Sequence, residues 1–209
     1  MPMLTTLTVT DFLKETASNT PAPGGGSVSA LAASLGTALI SMVCRLTVGK
    51  KKYAQVEGEM KKSLQRAEEL RTQCTALIDE DTAAFNKVMA AFGLPKETDD
   101  QKERRSEEIQ KATRSATLVP IKLMGLCGEA LELVKVVASD GNQNSLPDAG
   151  VAALMLQAAC EGAALNVRAN LAGLQDAAFI EHARAEAQSF LEKTSASSRR
   201  ILESIGKKL

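Results

Sequence analysis

Tryptophan is missing from these 209 residues, tyrosine and histidine occur once each (Tyr53 and His182), and five phenylalanines complete the aromatic set. With few aromatic or β-branched side chains there is little to build the half-buried pleated surfaces of a sheet. A metal site would have to assemble around His182 with carboxylates alone, so no metal is expected. The cysteines Cys44, Cys74, Cys127 and Cys160 are 30, 53 and 33 residues apart, with no C-x-x-C pair and no neighbouring histidine. That spacing suits small core residues kept reduced rather than a disulfide framework. Neither sign of charge is in excess: Lys plus Arg and Asp plus Glu both number 25. Nothing in that balance recruits nucleic acid or an anionic membrane. The opening "MPMLTTLTVTDFLKETAS" lacks the basic leader and long apolar run of a secretory signal, so a cytoplasmic protein is expected.

What is abundant is Ala, Leu, Glu, Lys and Gln, the strong helix formers. The composition predicts an all-α protein, one domain over residues 1–209, built as a multihelical bundle of about five long helices and a short N-terminal one. Thr10-Asp11-Phe12-Leu13 starts the short helix, which stops before the breakers Asn19-Thr20-Pro21-Ala22-Pro23-Gly24. Ser27 is placed to cap a helix reaching about Thr47, with Val28, Leu31, Leu35, Leu39, Met42 and Leu46 recurring at three- and four-residue spacing. A long helical pattern follows "VGKKKY" and ends at Gly93 and Pro95. Thr98 caps the next, which runs towards Ser139 with a kink expected at Pro120. Residues 139–150 read as a loop in which Ser145 and Asp148 resemble a capping arrangement. Helices over about 148–172 and from Asp176 to Ser204 complete the chain.

The segment 27–44 carries no charge and is followed by Arg45, Lys50, Lys51 and Lys52, the outline of a membrane span with a basic flank. Five Ser and Thr side chains and Gly36 inside it dilute that signal. A buried central helix has the same look, because Ala, Ser and Gly let neighbouring backbones approach closely. The helix at 148–172 shares the character, and the two together suit the heart of a bundle or a homodimer seam. No membrane partner is expected. Gly24, Gly25 and Gly26 need a separate account, since three glycines in a row give up backbone entropy and contribute no packing. They are either a flexible turn or a close approach to something at a helix N-terminus, where free N–H groups favour anions. The lysine run is either a solvated helix end or a dock for a polyanionic tail.

Within "LIDEDTAAFNKVM", Asp81 shares a face with Ile78, Phe85 and Val88, whereas Asp79 points about 200° away. A carboxylate directed at the core is either paired, for instance with Arg45 or Arg168, or poised for a ligand. Gly162, Asn166 and Asn170 form an i, i+4, i+8 stripe on an apolar helix, where amides need partners. They either bridge neighbouring helices or read the edge of a heterocycle. Asp140, Asn142, Asn144 and Asp148 precede that helix in turn-forming sequence.

The ordered blocks "PAPGGGSVSALAASLG", "GKKKY", "DEDTAAFNKVMAAFGLPK", "VPIKL", "GNQNSLPDAGVAAL" and "EGAALNVRANL" resemble the cyclodeaminase/cyclohydrolase family of folate enzymes over nearly the whole chain. The resemblance implies an all-helical homodimer with a folate site near the glycine loop, acting on a tetrahydrofolate derivative that can carry a polyglutamate tail. It implies no cofactor beyond that folate. Carried over residue by residue, it makes Asp81 the preferred catalytic group with Asp79 as companion. Gly24, Gly25, Gly26 and Ser27 match the glycine loop and Lys50, Lys51, Lys52 and Tyr53 the basic turn. Asn142, Asp148, Asn166 and Asn170 are further candidate substrate contacts. The implied reaction is conversion of 5-formiminotetrahydrofolate to the 5,10-methenyl form with loss of ammonia. The alternatives are hydrolysis of the methenyl form to 10-formyltetrahydrofolate, or a helical dimer that binds folate or a partner without turnover.

Overall fold

A computed structural model describes residues 3–209. Six α-helices carry the chain, α1 (Val9–Thr16), α2 (Gly25–Arg45), α3 (Glu57–Phe92), α4 (Asp99–Asp140), α5 (Leu146–Leu171) and α6 (Ala177–Gly206), and no strand occurs among the described residues. Short 3₁₀ turns at Leu4–Thr6, Lys51–Val56 and Gln143–Ser145 connect them.

Helix ends follow local chemistry. Thr8 accepts from the Asp11 N–H at the start of α1, Thr98 and Gln101 close a reciprocal capping box on α4, and Asp176 accepts from the Phe179 N–H on α6. Two expected caps are not formed. Gly24, not Ser27, is the capping residue of α2, and Ser145 makes no side-chain cap on α5. The loop expected over 139–150 is shorter, because α4 reaches Asp140 and α5 begins at Leu146. Pro120 lies buried within α4, which continues through it as one helix. Since proline carries no N–H, the Ala116 carbonyl has no helical donor four residues on.

The uncharged helices α2 and α5 lie side by side at the centre. A side chain on Gly36 would meet Leu156, and one on Gly162 would overlap the Ser29 hydroxyl, so small residues set this close spacing. Both helices are long and apolar enough to cross a membrane by length and composition alone. Here their apolar residues make the core: Ala33, Ile40 and Val43 of α2 and Ala152, Leu156 and Val167 of α5 are fully enclosed. α3 and α4 pack against this pair, with Leu70, Leu77, Met124, Leu131 and Val134 completing the interior. All four cysteines are buried and unpaired, and enclosure in apolar surroundings pushes their thiols up, Cys74 to about 12. They are inert core residues.

A candidate active-site cleft

α2 starts abruptly after Gly24, and its first turn, Gly25, Gly26 and Ser27, abuts α3 at Asp81. The contact is so close that any side chain on Gly26 would overlap the Asp81 carboxylate. Ser27 is fully buried, and its hydroxyl donates to the Ile78 carbonyl at 2.8 Å and lies 3.1 Å from Asp81 Oδ2 and from the Thr82 hydroxyl. That cross-helix use explains why Ser27 does not cap its own helix. The carboxylate of Asp81 stands in that place, facing the positive end of α2.

Burial pushes the Asp81 carboxyl above its ordinary range, opposed in part by the Ser27 hydroxyl and backbone N–H. Desolvation therefore outweighs the donors, as it does where an acid is backed by hydrocarbon. The backing is an apolar void of about 10 Å³ lined by Ala30, Leu77, Val119, Pro120 and Leu123, at the lower limit for one water molecule. Asp81 forms no ion pair among the described residues, and the arginines suggested as partners are elsewhere. Arg45 bonds Glu68 at 3.1 Å, and Arg168 lines a separate groove.

On its other side Asp81 opens into a cleft of about 250 Å³. Its polar rim comprises the glycine turn, Asp81, Asn166 and Asn170; Pro21 and Ala22 with Ala84, Phe85, Val88 and Ala116 supply apolar surface. The face of α3 that carries Ile78, Asp81, Phe85 and Val88 is thus core at one end and cleft at the other. Asn166 donates to its own Gly162 carbonyl at 2.9 Å, and the space beside Gly25 is 3.5 Å from its amide nitrogen. A wider groove of about 590 Å³ between α5 and α6 holds Arg168, Arg199, Glu161 and Glu192 but none of these residues. Volume alone would select it, yet the smaller cleft is the one with a desolvated acid at its floor.

The remaining candidates are not brought to this cleft. Asp79 accepts from the Leu4 N–H at 2.6 Å and the Thr5 hydroxyl at 2.7 Å, tying the N-terminal segment to α3. Lys50, Lys51, Lys52 and Tyr53 lie beyond the other end of α2, whose 21 residues span about 31 Å. The three lysines are exposed. The Tyr53 hydroxyl accepts from the Gln143 N–H at 3.1 Å and sits 3.5 Å from Asn142 Oδ1, with the Lys52 ammonium 5.4 Å from the ring. Asn142 is buried and pins its turn to the residues just past the end of α2, its N–H donating to the Thr47 hydroxyl at 2.8 Å and its side-chain amide to the Leu46 carbonyl at 3.3 Å. Asp148 occupies the first turn of α5. One chain therefore carries two clusters, a cleft at the start of α2 and a basic corner at its end. Sequence reasoning missed Pro21, Ala22, Ala84 and Ala116 as cleft residues and read Phe85 and Val88 only as part of a core-directed face; apolar side chains carry no signal of a cleft, though Ala84 lies three residues from Asp81.

Comparison with known proteins assigns the chain to a family. The family profile described as formiminotransferase-cyclodeaminase matches residues 8–189. A methenyltetrahydrofolate cyclohydrolase from Methylorubrum extorquens is 44% identical over 97% of both chains. A formimidoyltransferase-cyclodeaminase from Rattus norvegicus is 34% identical over 93% of this chain, which spans only 36% of that longer protein. The crystal structure of a formiminotetrahydrofolate cyclodeaminase from Thermotoga maritima superposes with a TM-score of 0.81 at 29% identity, covering 98% of this chain and 96% of the other. With a matching profile over most of its length, a full-length relative and a shared fold, the chain belongs to the formiminotransferase-cyclodeaminase family.

Proposed function

We propose that the protein is a methenyltetrahydrofolate cyclohydrolase, opening 5,10-methenyl- to 10-formyltetrahydrofolate, with Asp81 as its acid–base group. The observation that carries this is the desolvated carboxylate of Asp81 at the cleft floor. Of the two relatives reported above that match over nearly their whole length, the one at 44% identity bears the cyclohydrolase name and the one at 29% the cyclodeaminase name, which favours hydrolysis over cyclodeamination. The substrate is a planar amidinium cation. In water a carboxylate attracts such a cation weakly, whereas in a low-dielectric pocket the attraction and its effect on charge development grow. Water adds to the bridging carbon as Asp81 removes one of its protons; the acid so formed returns that proton to N5 as the bond from that carbon to N5 breaks, and the adduct hydroxyl gives up its own proton to solvent, leaving the formyl group on N10. Asn166 and Asn170, on the cleft rim, would hold the pterin edge. The chemistry calls for no metal or redox group.

Cyclodeamination is the second reading, supported by the names of the longer relatives and of the Thermotoga protein. There N10 attacks the formimino carbon, the N10 proton passes to the formimino nitrogen, and a second proton, for which the elevated acid suits as donor, lets that nitrogen leave as ammonia. Both reactions pass through the same cation, and one absorbance measurement separates them. Supplied with the methenyl compound, the protein should bleach its absorbance faster than the uncatalysed reaction. Supplied with 5-formiminotetrahydrofolate, a cyclodeaminase would instead generate that absorbance. No acceleration in either direction, or full activity in Asp81→Asn, would remove the proposal.

A homodimer fits the same reading. Val28 and Leu35 on α2, Leu46 just past its end, and Val151, Leu154 and Leu165 on α5 leave 40% to 64% of their surface exposed on the outer side of adjacent helices. Such an apolar face suits burial against a second copy. A two-fold axis near the middle of α2, with the two α2 helices antiparallel, would carry the lysine corner of one subunit towards the cleft of the other, where the folate's glutamate tail would emerge.

A further inference from the structure

Five of the six aromatic rings in this chain have evident partners within it. Phe12 is buried in the core, and Phe190 packs over Gly125. The guanidinium of Arg105 lies 5.5 Å from the Phe92 ring and that of Arg114 lies 4.4 Å from the Phe179 ring. Tyr53 is held by Gln143 and Lys52. Among the described residues, Phe85 has no cation over its ring and does not belong to the core cluster or the side chains packed against it. It is half-buried, one helical turn beyond Asp81, and its open surface lines the cleft. An aromatic side chain costs more to leave against water than the alanines around it, so a ring kept at a cleft wall, away from the core, has its contact surface turned to whatever enters.

We propose that Phe85 is the aromatic platform of the site, holding the flat ring system of a folate against the apolar wall while Asp81 acts at its reactive carbon. The proposal rests on the folate reading above. Two properties of the ring fit that occupant. Flat heteroaromatic systems gain from contact with an aromatic face beyond the area they bury, and the negative face of a phenyl ring attracts a delocalised cation such as the amidinium. Phe85 thereby contributes to affinity and to the choice of planar, aryl-bearing substrates. It moves no proton. Pro21 and Ala22 of the preceding loop line the same cleft, so the bound ring is bounded by rigid backbone as well as by the phenyl group.

The test compares Phe85→Leu, which keeps apolar bulk and removes the π face, with Phe85→Tyr, which restores that face. KM and kcat are read with 5,10-methenyltetrahydrofolate and equilibrium affinity with tetrahydrofolate. Phe85→Leu should weaken both KM and affinity by about tenfold, with kcat within threefold of wild type, and Phe85→Tyr should recover most of the loss. Both quantities staying within twofold of wild type in Phe85→Leu would overturn the assignment. Should that variant lose helicity, Phe85→Met serves as the second flat-face deletion. A wild-type protein that binds tetrahydrofolate without turnover would overturn the proposed reaction while the affinity comparison still decides Phe85; absence of any folate binding would sink both.

Discussion

Gly26 and Asp81 occupy space that leaves room for only one side chain: the first turn of α2 has no Cβ there because the carboxylate fills that volume. This relationship joins the glycine run to the acid on α3. It also accounts for a glycine at a helical position where alanine would otherwise be favoured by about 1 kcal/mol.

The first prediction follows directly. Gly26→Ala should displace the Asp81 carboxylate or push α2 from α3, destabilising the protein by about 1–3 kcal/mol in urea unfolding and lowering turnover at least a hundredfold. Gly128, also inside a helix, has open space where its side chain would be. Gly128→Ala should therefore stabilise by about 0.5–1 kcal/mol and leave turnover unchanged. Equal effects at the two positions would show that helix propensity, not the contact with Asp81, governs Gly26.

The second prediction concerns pH. Burial raises the Asp81 carboxyl in the folded protein, so between its unfolded and folded values the native state binds more protons than the unfolded state. This group's contribution to stability then falls as pH rises through that window and is unfavourable above it. Asp81→Asn removes the penalty. Its melting temperature should equal or exceed that of wild type at neutral pH, with the advantage shrinking as pH is lowered through the window. Turnover should behave oppositely. If the ionised form is the base, kcat/KM rises with pH through the elevated pKa, and Asp81→Asn loses roughly two to four orders of magnitude with no such rise. A variant both less stable and equally active would assign Asp81 a capping role alone.

The helices were legible because their signals are local. Apolar spacing, the Thr98 and Asp176 caps and the Gly93 stop depend on residues within a turn or two of each other. Asp81 was legible too, since its spacing from Ile78 and Phe85 places it on an apolar face. What the chain alone did not reveal is tertiary in origin. The Ser27 hydroxyl has local capping chemistry, but its partners are 51 to 55 residues away on α3. Asn142 looks like a turn residue and is one, yet it also fastens that turn to the segment just past α2 through Thr47 and Leu46. The lysine corner and the glycine turn, only about 25 residues apart in sequence, are held apart by the full length of a rigid helix. Periodicity cannot indicate which of two distant clusters shares a cavity.

The third prediction separates the two aspartates of the D-E-D triplet. Asp79 and Asp81 are on one helix, but their oxygens do different things: Asp79 receives the Leu4 N–H and the Thr5 hydroxyl, whereas Asp81 faces the cleft. Removing Asp79 leaves a half-buried N–H and a hydroxyl to find water, at about 1–3 kcal/mol. The segment it ties down leads through α1 and the buried Phe12 to the loop carrying Pro21 and Ala22, so loosening it reaches the cleft only at second hand. Asp79→Ala should therefore speed amide hydrogen exchange at residues 4 to 7 and lower stability in urea, while reducing kcat by less than tenfold. Asp81→Asn should do the reverse, keeping the N-terminal amides protected while losing turnover. If Asp79→Ala lost turnover as completely as Asp81→Asn with unchanged exchange at Leu4 and Thr5, the two carboxylates would act together in the chemistry, and the division drawn from their hydrogen bonds would not stand.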